Sequence, residues 1–271
     1  MPTSQSAKAR LLQTLHAGPG AFVIANAWDA GSARMLTALG FPALASSSGA
    51  AAGVLGRRDG RITREESLAH ARTIVAATGL PVSADLENGF GDTPADAAVT
   101  ISGAIAAGLV GGSIEDYSGK SLYPEDFATE RIQAAVAAAR GAPFHFALTA
   151  RAENFIRGNP DLDDTIRRLQ AYEAAGADVL MAPGLPDLAA VAKVCASLKK
   201  PFNFMGGIKG RSFSVAELEK AGVRRVSLAT SLYRAAMTGL VDAAREVKDK
   251  GTFGYLDRTL ATPDLNGFME S

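Results

Sequence analysis

One cysteine, one tryptophan and three histidines are all that this 271-residue chain has of those types. A lone cysteine, Cys195, excludes an internal disulfide and any cysteine-rich zinc site. It fits a reducing, cytoplasmic setting, which is the expected location. Net charge is also lacking: 28 basic side chains balance 28 acidic ones. Nothing therefore draws the chain broadly to nucleic acid or to an anionic membrane. No run of about 18 uninterrupted apolar residues exists, so no membrane span is expected. Residues 1–18 lack the apolar core of a signal peptide and read as a helix with Leu11, Leu12 and Leu15 on one side. No linker rich in Pro, Ser or Gly divides the sequence. Residues 1–271 therefore read as one domain, with an N-terminal helix in 1–20 and a helical tail in 250–271.

What the chain does have is a recurring unit. A short, nearly continuous apolar run is followed by a helix that stops at glycine. Ala38-Leu39-Gly40-Phe41, Ala106-Ala107-Gly108-Leu109, Ala174-Ala175-Gly176-Ala177 and Lys220-Ala221-Gly222-Val223 are variants of one joint. Glycine suits the position after a helix because it often needs positive φ. Strands are expected at 22–26, 41–46, 81–85, 109–115, 144–151, 178–182, 201–205 and 225–229. Helices are expected at 30–39, 64–77, 94–107, 124–140, 162–175, 187–198, 215–221 and 231–248. Eight strand–helix units in about 250 residues point to a closed (β/α)8 barrel, with an open doubly wound sheet as the alternative. The apolar runs suit parallel strands buried on both faces.

The stretch Val82-Ser83-Ala84-Asp85-Leu86-Glu87 alternates apolar and polar residues and runs into Asn88-Gly89-Phe90-Gly91. In an extended chain Asp85 and Glu87 point the same way. They are either a solvated strand end or a site for a hard cation such as Mg²⁺. The other strand ends favour the second reading. At or after them fall Asn26, Trp28 and Asp29, then Ser46-Ser47-Ser48-Gly49 with a long loop carrying Arg57-Arg58-Asp59. Glu115 and Asp116 follow, then Arg151 and Glu153, Asn203, and Ser227 with Thr230. The opposite strand ends are mostly apolar. Acids, one arginine and several hydroxyls gathered at one end suggest a metal and an anionic, oxygen-rich substrate.

These residues also carry a family pattern. The chain resembles the isocitrate lyase and phosphoenolpyruvate mutase superfamily over about residues 22–236. The resemblance rests on Asn26-Ala27-Trp28-Asp29-Ala30-Gly31-Ser32-Ala33-Arg34, Ser46-Ser47-Ser48-Gly49, Asp85-Leu86-Glu87-Asn88-Gly89-Phe90-Gly91, Gly112-Ser113-Ile114-Glu115-Asp116 and Ala150-Arg151-Ala152-Glu153. It implies a TIM barrel and a Mg²⁺-dependent enzyme (Mn²⁺ as a substitute) acting on small α-oxo or α-hydroxy carboxylates. By matching position, Asp85, Glu87 and Glu115 hold the metal and Asp59 is a further acid. Ser47, Ser48 and Gly49 bind the substrate carboxylate, and Arg151 grips the oxo-acid oxygens. Trp28 and Asn203 fall on the same substrate side. The resemblance also implies a homo-oligomer, a dimer or tetramer with an exchanged C-terminal helix.

Two departures stand out. Glu87 replaces the aspartate common in the mutase branch. The loop after strand 4 reads Tyr117-Ser118-Gly119-Lys120-Ser121-Leu122-Tyr123, without the cysteine and histidine of the lyase branch. Tyr117, Ser118 and Lys120 become the candidate loop proton donors, with water as the alternative. The expected reaction is C–C cleavage or decarboxylation of a small oxo- or hydroxy-dicarboxylate through an enolate. P–C bond chemistry on phosphonopyruvate and a catalytically silent oxo-acid binder are the alternatives. His16, His70, His145 and Cys195 are expected to be structural.

Overall fold

The computed structural model describes residues 3–211 and 213–269, so Met1, Pro2, Glu270 and Ser271, at the ends of the expected N-terminal helix and tail, fall outside it. Eight parallel strands close in sequence order into one barrel. They are β1 (Phe22–Asn26), β2 (Ala43–Ala45), β3 (Val82–Asp85), β4 (Gly111–Glu115), β5 (Ala147–Arg151), β6 (Val179–Met181), β7 (Phe202–Met205) and β8 (Arg225–Ser227), and β8 pairs back onto β1. This is the (β/α)8 TIM barrel, and its closure excludes the open sheet. The helices are α1 (Gln5–Ala17), α2 (Ala30–Ala38), α3 (Ser48–Val54), α4 (Arg64–Ala76), α5 (Pro94–Ala106), α6 (Glu125–Arg140), α7 (Leu162–Ala174), α8 (Leu188–Ala196), α9 (Val215–Lys220), α10 (Ser231–Lys250) and α11 (Thr262–Gly267).

Local chemistry explains most boundaries. Asp29, Thr63, Thr93 and Ser214 each close a capping box at the start of α2, α4, α5 and α9, which satisfies backbone donors that a helix start leaves open. The four helix-to-strand glycines, Gly40, Gly108, Gly176 and Gly222, adopt φ of 85–104°. Gly141 differs: it follows α6 at φ −72° and needs no glycine-specific conformation.

Three expectations change. The segment after β2 is not all loop, because residues 48–54 form α3. Its short Ser-Gly-Ala run has little periodicity to announce a helix. It is held by burial of Ala50, Ala51 and Ala52 and by close approach of Tyr233, whose hydroxyl would lie 2.5 Å from a Cβ at position 53. In α1, Leu12 is buried but Leu11 faces out. Leu12 and Ala9 join Ile24, Ala43, Val110 and Ala147 to seal the N-terminal end of the barrel. Finally, β3 stops at Asp85 as expected, but Glu87 lies at φ 49°, so the two acids do not share one extended strand.

The barrel interior is unusually polar below its C-terminal end. Arg225 is buried there, donating from Nε to Asn203 Oδ1 at 2.7 Å and from Nη2 to Thr149 Oγ1 at 2.8 Å. Burial without a facing carboxylate lowers its pKa to about 9. Asn26 donates to the Ser46 carbonyl and accepts from the Leu228 N–H, tying β1 to its neighbours on both sides. Among the described residues, no helix is long and apolar enough to cross a membrane.

Candidate active site

The C-terminal strand ends open into a cavity of about 1140 Å³. Ser47, Ser48, Gly49, Asp59, Asp85 and Glu87 line one side of the set, and Glu115, Tyr117, Lys120 and Arg151 complete it. Two expected residues are not brought there. The Trp28 ring packs edge-on against Tyr233 at 5.7 Å, and its carbonyl meets His70 Nε2 at 2.7 Å. Asn203 lies deeper in the barrel, wholly buried, between Arg225 and Ser227. The three histidines and Cys195 also lie outside this cavity. Burial pushes the Cys195 thiol up to about 12, which suits an inert side chain.

Arg151 organises the floor. Parallel register sets it directly beside Glu115 on the neighbouring strand. Its Nη1 meets Asp85 Oδ1 at 2.9 Å, and its Nη2 meets Glu153 Oε1 at 2.7 Å and Glu115 Oε2 at 3.2 Å. Burial alone would lower the guanidinium's pKa, but Glu153, Glu115 and Asp85 together hold it above its ordinary range. Burial pushes the Glu115 carboxyl up, against the pull of Arg151. Asp85 is further placed by the start of α3, because the Ser48 N–H donates to its Oδ2 at 3.2 Å.

Glu87 is the least satisfied group in the site. Its left-handed backbone turns the carboxylate off the strand line and into the cavity. Oε1 is buried without a hydrogen-bond partner among the described residues. Burial, then Asp85 and then Asp59, raise its pKa to about 7. Backbone strain, an orphaned oxygen and mutually repelling carboxylates are features that a bound cation would relieve. Among the described residues, no three acids stand close enough to enclose a metal by themselves. Arg151 stands between Asp85 and Glu115, so the sequence expectation of three acids converging on one point needs that correction. The donor set still fits Mg²⁺, which prefers oxygen, keeps several waters and typically takes only one or two carboxylates from the protein.

Asp116 and Glu153, noted from the sequence only as strand-end acids, and Arg131, not noted there, organise the site. Glu153 is wholly buried and spans Arg151 and Arg157. Asp116 fixes it in place: Asp116 Oδ1 accepts the Glu153 N–H at 2.9 Å, while Oδ2 accepts from Tyr172 and Arg168. Arg131, 1% exposed, reaches from α6 to the carbonyls of Asn88, Gly91, Asp92 and Glu115. It thereby shapes the loop after Glu87. The one available signal for Arg131 is a charged residue on the apolar stripe of Ala128, Ile132 and Ala135. Residues 117–122 form a tight turn closed by a bridge between Tyr117 and Leu122 and by the Ser118 N–H donating to the Ser121 carbonyl.

The family model for phosphoenolpyruvate phosphomutase matches residues 11–248. The chain belongs to this family. A candidate lyase/mutase of Burkholderia cenocepacia J2315 superposes on it with a TM-score of 0.97 at 48% identity, over 98% of each chain. An oxaloacetate decarboxylase of Bradyrhizobium diazoefficiens is 32% identical over 206 residues, covering 72% of this chain and 69% of that one. An oxaloacetate acetylhydrolase bound to its product oxalate superposes with a TM-score of 0.89 at 25% identity, over 98% of this chain and 95% of that one. The family member described here is thus an enzyme of the isocitrate lyase and phosphoenolpyruvate mutase superfamily, as its motifs imply.

Proposed function

We propose that this family member is a Mg²⁺-dependent lyase or decarboxylase that cleaves a C–C bond in a small 2-oxo or 2-hydroxy dicarboxylate through an enolate. The observation that carries the reading is Glu87, a strained and partly buried carboxylate with an orphaned oxygen beside Asp85 and Asp59. Asp85, Glu87 and Glu115 would hold Mg²⁺ or Mn²⁺, with Asp59 as a further acid at the rim. The bound metal would supply Lewis-acid stabilisation for negative charge developing on the oxo-acid oxygens. Ser47, Ser48 and Gly49 bind the substrate carboxylate through hydroxyl and backbone donors at the start of α3. Arg151, held rigid by three carboxylates, orients the oxo oxygen beside them. Tyr117 or Lys120, on the turn that borders the cavity, would return a proton to the carbon left by cleavage.

The test is a paired assay with Mg²⁺. Oxaloacetate should yield pyruvate and CO₂ above the uncatalysed rate, and phosphonopyruvate should yield no phosphate. The reverse result would replace this reading with P–C bond chemistry, which the phosphomutase family membership supports. Binding of oxalate without turnover of any oxo- or hydroxy-acid in a broad panel would leave a silent binder instead.

Assembly into a dimer or tetramer belongs to the same proposal. Along α10 no described residue is buried. In the tail, Phe253, Leu256 and Leu260 are more than half exposed at 58%, 55% and 51%. Such an apolar face favours a second copy of the chain. Light scattering that returned a monomer would refute this.

A further inference from the structure

Asp59, Asp85 and Glu87 line the cavity on the side of β2 and β3, with Arg61 and Arg64 near them, whereas the loops after β4 and β5 present Lys120 and Arg157. Arg157 sits at the end of a 3-10 turn, Asn154–Arg157, that follows β5 directly. Its Nε donates to Glu153 Oε2 at 3.1 Å, and Nη2 lies 3.0 Å from that oxygen and 3.4 Å from Glu115 Oε1. Its guanidinium lies over the Tyr117 ring, 4.0 Å from the centroid. The stack and the fork of ion pairs fix the plane of the group. Nη1 has no partner among the described residues, and the side chain is 34% exposed along the cavity. Arg151 differs on both counts: Nε, Nη1 and Nη2 all face protein carboxylates, and it is buried. Of these two pinned guanidiniums, only Arg157 keeps an end free.

We infer that Arg157 is the specificity residue for a second anionic group on the substrate, the one remote from the oxo-acid end. Glu115 and Glu153 each bridge Arg151 and Arg157, so the two guanidiniums are spaced by one layer of carboxylate. A ligand whose oxo-acid end lies at Arg151 and Ser47 can place a carboxylate or a phosphonate two or three bonds away at Arg157 Nη1. The free donors and the fixed plane suit such a group, because little ordering is left to be done on binding. Lys120 is exposed on a turn tip, has no ion pair among the described residues and lacks that preorganisation. The enzyme therefore favours oxo-acids that carry a second, remote anionic group, and Arg157 is the residue that reads it.

This inference rests on the proposed function, and one calorimetric experiment separates the two. Oxalate, which lacks a remote group, and 3,3-difluorooxaloacetate, which has one, are titrated into the full chain with Mg²⁺. In Arg157→Met, affinity for the difluorinated dianion should fall about 10- to 100-fold, the scale of one charge-assisted contact. Oxalate affinity should stay within about threefold of wild type, which also shows that the variant is folded. Arg157→Lys should recover part of the loss, since it restores charge without the planar fork. Equal loss of both ligands, or loss of neither, overturns the assignment of Arg157. Failure of wild type to bind oxalate with Mg²⁺ overturns the proposed function, and the inference with it.

Discussion

Replacing Glu87 with glutamine should make the metal-free protein more stable, although it removes a group proposed to hold the metal. In the fold this carboxyl titrates near 7, against an ordinary 4.5, because burial and the charges of Asp85 and Asp59 oppose its ionisation. A raised acid makes the folded state the better proton binder between those two values. Glu87's contribution to stability therefore falls as pH rises from 4.5 through about 7 and is level outside that window. The full interval corresponds to about 3 kcal/mol, and water in the open cavity screens it to about 1–2 kcal/mol. Unfolding entropy of about 2 cal/mol/K per residue converts this to a Tm gain of roughly 2–4 °C for a chain of this length. The assay is thermal unfolding of wild type and Glu87→Gln in EDTA from pH 4.5 to 8.5. The two should coincide at the acid end and separate progressively above pH 5, with the variant higher. Added Mg²⁺ should then raise wild type and leave the variant nearly unmoved. A gap that is constant with pH, or a variant less stable at pH 8, would refute the electrostatic account of Glu87.

Arg151→Met leaves Asp85, Glu115 and Glu153 without their shared cation, so stability should drop by about 3–5 kcal/mol and turnover should vanish; a denaturant midpoint close to wild type would contradict the network. Gly49→Ala would bring a methyl to 2.9 Å from Thr230 Cγ2 and 3.2 Å from Asp59 Oδ2. It should lower turnover at least tenfold by displacing Asp59 while costing about 1 kcal/mol or less, and unaltered kinetics would show that Asp59 is not needed where it stands. Cys195, with its thiol pushed up to about 12, should resist disulfide reagents at pH 7.5 until denaturant is added; fast labelling of the native protein would show that its surroundings are misread.

The stretch Asp85-Leu86-Glu87 shows how far residues speak for themselves. That two acids follow a buried strand is plain from period-2 patterning, and so are the ends of most helices, marked by glycine after them or a capping box before them. These are local signals, written within a few residues of where they act. That Glu87 leaves the extended line after β3 and turns into the cavity at φ 49° depends on the loop held by Arg131 from α6, more than forty residues away in the chain. Trp28 and Asn203 were drawn to the site by their place at strand ends, but neighbouring elements claim them: Tyr233 for one, Arg225 and Ser227 for the other.

Composition, apolar periodicity and turn chemistry by themselves determined eight strand–helix units of parallel sheet, pointing to a (β/α)8 barrel over an open sheet, and which strand ends carry the polar groups. Their physical basis is local: backbone dihedrals, caps and the burial of parallel strands on both faces. Tertiary structure alone decided which charges meet. Closure of the ring and the register of β4 on β5 set Arg151 beside Glu115 and made Glu153 the bridge to Arg157. Charge pairing depends on distance in space and on exclusion of water, and neither is a property of spacing along the chain.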